Sequence, residues 1–148
     1  MKDLSLHILD IAENSIRAGA SIVEILIVED EKNDLLIVQI KDNGKGMDKE
    51  LKYKAANPFF TTKSGKRIGL GLALLSQATK EAQGSFQITS GPGAGTTVKA
   101  AFKYSHPDCK PLGNITETLE TLIAGNRDID FIFEHRIGEN ITRFDTRE

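Results

Sequence analysis

Four polar residues near the start of the chain have types and spacing that could bind a charged ligand. His7, Asp10, Asn14 and Arg17 follow one another at intervals of three, four and three residues. In a helix this spacing places them on one face, beside the apolar residues of the same segment. The stripe offers a carboxylate, a carboxamide oxygen and a fixed cation, which are the groups that a Mg-triphosphate requires. A solvated helix face is the competing interpretation of this segment taken alone.

A glycine-containing segment between Asp42 and Met47 could hold a flat ring. It reads Asp-Asn-Gly-Lys-Gly-Met and closes a predicted strand. The Asp42 carboxylate can accept a hydrogen bond from an exocyclic amino group, such as that of adenine. Gly44 and Gly46 have no Cβ, so the backbone can approach a ring closely. An ordinary turn explains the same residues equally simply.

Two further glycine segments could complete a nucleotide site. Gly69, Leu70, Gly71 and Leu72 open a predicted helix, whose free N–H groups and dipole favour an anion. The cations just upstream are Lys63, Lys66 and Arg67. Gly95 and Thr96 enter a predicted strand, where the Thr96 hydroxyl is free to hydrogen-bond. Glycines that only ease helix packing, and a simple hairpin turn, are the alternatives for these two segments.

The elements that must position these residues follow from apolar periodicity and glycine punctuation. Helices are predicted over Lys2–Ala18 and Leu70–Gln83, with a short helix after Asp48. Strands are predicted over Ser21–Glu29, Asp34–Lys41, Ser85–Ser90 and Thr96–Lys103. The stretch from Ala55 to Gly69 has no stable period, and a loop of that length is typical of a functional lid or a disordered segment.

The tail beyond Ser105 differs in character from the rest. Asn114 is placed to cap a helix that runs through Ala124, and two strands, Ile129–Arg136 and Ile141–Asp145, follow. We therefore expect a domain of residues 1–104 and an extension of residues 105–148. A hairpin alone is marginally stable, so these strands should pack on the edge of the main sheet or in a dimer interface with a second copy.

Composition excludes several classes of function. The 148 residues carry a formal net charge of −2, so no global field favours nucleic acid or an anionic membrane as partner. No apolar run is long enough to span a bilayer, and no signal peptide is visible. Cys109 is the single cysteine, which excludes an internal disulfide and a thiolate metal cluster. These features predict a soluble, cytoplasmic protein.

The order of the segments along one domain resembles the successive boxes of the GHKL ATPases, which include sensor histidine kinases, gyrase, a heat-shock chaperone and mismatch-repair ATPases. The matching segments are Asn14, Asp42–Gly46, Asn57–Lys63, Gly69–Leu72 and Gly95–Thr96. The string Pro58–Lys63 followed by Gly69–Ala73 is similar to sensor histidine kinases. The segment Glu13–Ala20 is similar to the mismatch-repair version of the first box.

The resemblance implies an α+β fold, a two-layer sandwich with helices on one face of a mixed sheet, and it implies ATP and Mg²⁺ as cofactors. Asn14 would coordinate Mg²⁺, and Asp42 would bind the adenine amino group. Gly46 would lie beneath the ring, and Thr96 would support it. The other residues expected to contact nucleotide are Arg17, Gly44, Met47, Thr62, Lys63, Arg67, Gly69, Leu70, Gly71 and Leu72.

Asp10 is where the chain departs from its relatives. The ATPases of the family carry a glutamate four residues before the metal-binding asparagine, whereas histidine kinases often carry an asparagine there. Asp10 could act as a base in place of the glutamate, with Glu13 as a rival base that points away from the stripe. His7 could help to position the Asp10 carboxylate, although a bystander role is the simpler expectation. We expect no helical hairpin with a phosphoacceptor histidine before the domain, so a kinase is expected to act on another chain, as anti-sigma serine kinases do.

Three functions remain open from the sequence. The leading one is a histidine-kinase-like signal-transduction protein that transfers the γ-phosphoryl group to a histidine or serine of a partner protein, with Asp10, Asn14 and Lys63 as catalytic residues. The second is a stand-alone ATPase with Asp10 as general base. The third is a non-catalytic, nucleotide-gated module of anti-sigma type that binds a regulatory partner.

Overall fold

The computed structural model describes residues 3–49, 70–109 and 111–147. Within these ranges the chain forms three helices and six strands. The helices are α1 (Leu4–Arg17), α2 (Leu70–Glu81) and α3 (Ile115–Gly125). The strands are β1 (Ile22–Asp30), β2 (Leu35–Asp42), β3 (Ser85–Ser90), β4 (Thr96–Lys103), β5 (Asp130–Ile137) and β6 (Asn140–Asp145).

All six strands belong to one mixed sheet in the order β3-β4-β2-β1-β5-β6. Four antiparallel pairings join neighbouring strands within β3-β4-β2-β1 and within β5-β6, while β1 and β5 pair in parallel. Burial alternates along β1 and β2, and the register puts Val23, Ile25 and Ile27 on the same face as Leu36 and Val38. That face carries the hydrophobic core.

The helices cover this apolar face of the sheet. Leu4, Ile8 and Ile11 of α1 recur at helical spacing, are at most 3% exposed and join the core cluster. Leu75 of α2 and Leu122 of α3 belong to the same cluster. The predicted α+β sandwich with helices on one face of a mixed sheet is therefore confirmed.

The chain beyond residue 105 continues the sheet. Strand β5 pairs with β1 over eight positions, from Ile22 opposite Asp130 to Glu29 opposite Ile137. The segment before α3 also contacts the start of α1, because the carbonyls of Pro111 and Leu112 accept the N–H groups of Leu4 and Ser5, both at 2.8 Å. The two carbonyls thus provide acceptors for two N–H groups that have no partner within the helix.

Two expectations are not decided by this arrangement. The division into a domain of residues 1–104 and an extension of residues 105–148 stays a prediction, although strands from both parts share one sheet. The lid over Ala55–Gly69 and most of the short helix after Asp48 fall outside the described residues. Among the described helices, none has the length and apolar composition needed to cross a membrane.

Candidate functional site

Asp42 is held by two hydrogen bonds at the end of β2. Its Oδ2 accepts from the hydroxyl of Ser15 on α1 at 2.6 Å, and its Oδ1 accepts from the N–H of Gly44 at 2.8 Å. One bond orients the carboxylate from the helix layer and the other from its own loop. Each oxygen keeps lone-pair capacity for a further donor. A ligand group that donates a hydrogen bond would therefore meet a preoriented acceptor here.

Thr96 and Ser90 lie beside Asp42 across the ends of three neighbouring strands. Asp42 stands opposite Thr96 in the β2–β4 pairing, and Ser90 stands opposite Thr96 in the β3–β4 pairing. The hydroxyl oxygens of Ser90 and Thr96 are 2.9 Å apart. The Ser90 hydroxyl also donates to the Gly95 carbonyl at 2.9 Å and accepts from the N–H of Met47 at 2.8 Å. Ser90 thus joins the loop after β2 to the start of β4.

Two glycines let these loops approach each other. Gly46 has φ +73, and a Cβ built on it would lie 2.0 Å from the Gly91 carbonyl oxygen. Gly95 has φ +74, and a Cβ built on it would lie 2.2 Å from the Asp42 carbonyl oxygen. Both the left-handed backbone and the backbone contact exclude a side chain at either position. Gly46, which was expected to let the backbone approach a ring, therefore also lets backbone approach backbone, and Gly95 does the same.

The polar stripe of α1 is divided between different environments. His7 is buried, at 1% exposure, whereas Asp10 and Asn14 are half-buried. Arg17 is exposed and donates to Asn14 Oδ1 at 2.8 Å, and its guanidinium lies 3.6 Å from the Glu13 carboxylate. The amide oxygen expected to bind Mg²⁺ thus accepts a hydrogen bond from Arg17.

The carboxylate of Asp10 packs against Gly71 of α2. A Cβ built on Gly71 would lie 2.1 Å from Asp10 Oδ2 and 2.8 Å from its Cγ. The φ of Gly71 is not positive, so the backbone alone does not require glycine here. The missing side chain leaves the space that the Asp10 carboxylate occupies. Asp10 and the beginning of α2, as described from Leu70, are therefore neighbours.

The remaining expected site residues fall into two groups. Leu72 is 6% exposed and packs in the hydrophobic core, and Met47 packs against that core while its N–H bonds to Ser90. Thr62, Lys63, Arg67 and Gly69, with the side chain of Leu70, lie outside the described residues.

The groups on α1 fit Mg²⁺, which prefers hard oxygen ligands and shares them with phosphate and water. Asn14 supplies an amide oxygen, and Asp10, four residues earlier, supplies a carboxylate from the same helix. Either oxygen could be a ligand of the ion, so the site would need no thiolate or imidazole ligand.

Ser15 and Ser90 were absent from the expected site. Neither has a characteristic spacing to a glycine box, but each had a recognisable signal. Ser15 follows Ile8 and Ile11 on the buried side of α1, and Ser90 follows Phe86 and Ile88 on the core-facing side of β3. A small polar residue that continues an apolar row needs a hydrogen-bond partner, and here the partners belong to the site.

Solved structures resemble the chain in fold. The Aquifex aeolicus MutL ATPase domain complexed with ADP superposes with a TM-score of 0.62 at 17% identity, covering 98% of this chain and 63% of that one. The N-terminal domain of a DNA repair protein gives a TM-score of 0.58 at 19% identity, covering 97% of this chain and 51% of that one.

The relatives in sequence include two proteins named as kinases. Sporulation kinase A of Bacillus subtilis is 32% identical over 102 residues, which are 69% of this chain and 16% of the kinase. The signal transduction histidine-protein kinase AtoS of Escherichia coli is 45% identical over 60 residues, which are 40% of this chain and 10% of that protein. The chain thus spans less than a fifth of the length of either relative.

The family model described as "Histidine kinase-, DNA gyrase B-, and HSP90-like ATPase" matches residues 2–106. It covers α1, β1 to β4 and α2, which carry all the site residues described above. The match extends over more than half of the chain and agrees with the fold and with the kinase relatives. The chain belongs to the family of histidine kinase-, DNA gyrase B- and HSP90-like ATPases.

Proposed function

We propose that the chain binds Mg-ATP between α1, the end of β2 and the start of α2, and transfers the γ-phosphoryl group to a partner protein. The histidine or serine acceptor lies on that partner. Family membership and the two kinase relatives support the class of reaction.

The observation that carries the proposal is the setting of Asp42. Its carboxylate is fixed by Ser15 and Gly44 at the end of the sheet. Gly46 and Gly95 leave the surrounding backbone without side chains. A preoriented acceptor beside bare backbone suits a planar base that carries an amino group.

The residues on α1 would act at the phosphate end. Asn14 would hold Mg²⁺, which, when bound, neutralises phosphate charge. Arg17 would exchange its bond with the Asn14 oxygen for a phosphate oxygen, because a guanidinium pairs well with either. Phosphoryl transfer needs mainly positioning and charge stabilisation, so these fixed groups suffice without a covalent intermediate.

A second candidate, ATP hydrolysis, is favoured by the position of Asp10. Its carboxylate is half-buried and packed against Gly71, where it could accept a proton from a water. A kinase would have no need of a base aimed at water, whereas an ATPase would. Substitution of Asp10 therefore distinguishes the two activities, because only hydrolysis would need its carboxylate as a base.

The test is incubation of the purified chain with γ-labelled ATP and Mg²⁺, following free phosphate and labelled protein together. The variants are Asp10→Asn and Glu13→Gln, which tests the rival base. The matched control is Asp128→Asn, at an exposed aspartate in the turn before β5. For a kinase we expect ATP binding with little phosphate release, and Asp10→Asn changes release by less than about twofold.

If phosphate release falls about 100-fold or more in Asp10→Asn, but not in Glu13→Gln, the proposed kinase activity is wrong and the chain is an ATPase. Absence of measurable ATP binding by the unmodified chain would refute both activities.

A further inference from the structure

We propose that Ser90 is a positioning residue that makes Thr96 a hydrogen-bond acceptor only, and so helps the site select a base with an amino group. This inference rests on the proposed function, because it concerns the base end of the same nucleotide site. Ser90 reaches the ligand through Thr96.

The Ser90 hydroxyl has one proton to donate and two lone pairs that can accept hydrogen bonds. Three groups lie within hydrogen-bond distance of its oxygen: the Met47 N–H at 2.8 Å, the Gly95 carbonyl at 2.9 Å and the Thr96 hydroxyl at 2.9 Å. The N–H can only donate, and the carbonyl can only accept. All three bonds form together only when the single proton of Ser90 is used on the Gly95 carbonyl.

The direction of the remaining bond follows from this count. With its proton on Gly95, Ser90 can only accept from Thr96, so Thr96 directs its own proton toward Ser90. The Thr96 oxygen then offers only lone pairs to anything in the site. Asp42, directly opposite in the sheet, is likewise an acceptor through both oxygens.

Two acceptors side by side define the chemistry of the ligand. A purine with an exocyclic amino group donates to them, directly or through a water. A purine with a keto oxygen at that position presents an acceptor to acceptors, so this oxygen forms no hydrogen bond with either group. Without Ser90, the Thr96 hydroxyl could rotate and donate to the keto oxygen.

The test measures the affinities of ADP and IDP by isothermal titration calorimetry with Mg²⁺. These diphosphates differ at C6, by an amino group against a keto oxygen, and at the adjacent N1, which carries a hydrogen only in IDP. Neither has a γ-phosphoryl group to transfer. The variants are Ser90→Ala, which removes the hydroxyl, Ser90→Thr, which keeps it, and Ser85→Ala, an exposed serine on the same strand.

We expect the unmodified chain to prefer ADP to IDP by about tenfold or more. In Ser90→Ala this ratio falls by about threefold or more, while Ser90→Thr and Ser85→Ala keep it. If Ser90 acted only in folding, Ser90→Ala would weaken the binding of ADP and of IDP equally and leave the ratio of their affinities unchanged.

An unchanged ratio in Ser90→Ala would overturn the inference while leaving the proposed function intact. If Ser90→Ala does not fold, loss of the preference in Ser90→Thr would overturn it as well. Failure of the unmodified chain to bind either diphosphate would refute the proposed site and the inference together.

Discussion

In the proposed site, Asp42 is the residue on which base recognition would depend, because two hydrogen bonds from its surroundings fix its carboxylate. The Ser15 hydroxyl and the Gly44 N–H each satisfy one oxygen. Such an acceptor needs no reorganisation when a donor arrives.

Replacing Asp42 by asparagine tests that dependence. The change keeps the shape of the side chain but can turn an NH₂ group toward the amino group of adenine, so a donor meets a donor. We expect ATP affinity to fall at least about tenfold, measured by calorimetry. The matched control is Asp128→Asn, an exposed aspartate in the turn before β5.

Equal affinities of the Asp42→Asn and Asp128→Asn variants, both with unchanged melting temperatures, would contradict the role given to Asp42.

At this scale the sequence predicted that Asp10, Asn14, Asp42 and Gly46 serve one nucleotide site. In the structure α1 carries Asp10 and Asn14, while Asp42 ends β2 and Gly46 lies in the loop after it. The supporting hydroxyls of Ser15 and Ser90 were missed, because a serine has no characteristic spacing and its signal here is only that it continues an apolar row. The sequence also could not predict that Arg17 would bond to Asn14, since the partner of a long, exposed side chain depends on the whole surface around it.

Among the elements, β5 depends on a polar cluster that fixes it to the main sheet. The Glu29 carboxylate of β1 accepts from the Tyr104 hydroxyl at 3.0 Å and lies 2.7 Å from His135 Nε2 of β5. The hydrogen bond to this carboxylate raises the pKa of Tyr104. Glu29 therefore links residues that follow β4 to those in β5.

The Glu29→Ala variant should lose both bonds. Since the Glu29 and His135 side chains are 15% and 21% exposed, we expect a loss of about 1–2 kcal/mol in the free energy of unfolding. Urea unfolding measures it as a lower midpoint with an unchanged slope. Glu31→Ala, which removes an exposed glutamate from the following turn, serves as the control.

A midpoint for Glu29→Ala that matches the control would show that the cluster does not stabilise the hairpin.

The bounds of the elements were predictable where local signals were strong. Strands β3 and β4 begin and end at the predicted residues, because Gly84, Gly91 and Gly95 flank them. Asn114 caps α3 as predicted, and its Oδ1 accepts from the Glu117 N–H at 2.9 Å. The pairing of β5 with β1 has no local signal, since a parallel pair forms between segments far apart in the chain.

Over the whole molecule, the last strand ends in an ion pair that should make stability depend on pH. Arg147 donates from Nε and Nη2 to the two oxygens of Asp145 at 3.0 and 2.7 Å. These bonds lower the pKa of Asp145 from 3.8 to about 2.

A folded-state pKa below the unfolded value means that the ionised form stabilises the fold. This stabilisation is fully present above about pH 4 and is lost as pH falls toward 2. The melting temperature of Asp145→Asn should therefore lie below that of the unmodified chain near pH 6, and the gap should close at about pH 2. Thermal melts across this range, with Asp128→Asn as control, measure it.

A gap that stays constant from pH 6 to pH 2 would exclude Asp145 as the titrating group.

The bonds from Pro111 and Leu112 to Leu4 and Ser5 make the start of α1 a joint between the tail and the helix that carries Asp10 and Asn14. If a protein that binds the tail shifts this joint, the shift changes the position of Asp10 and Asn14 and so the free energy of nucleotide binding. By linkage, bound nucleotide then changes the free energy of partner binding by the same amount. ATP affinity with and without such a partner would change by the same factor as partner affinity with and without ATP. Two ligands that never touch would thus each sense the presence of the other.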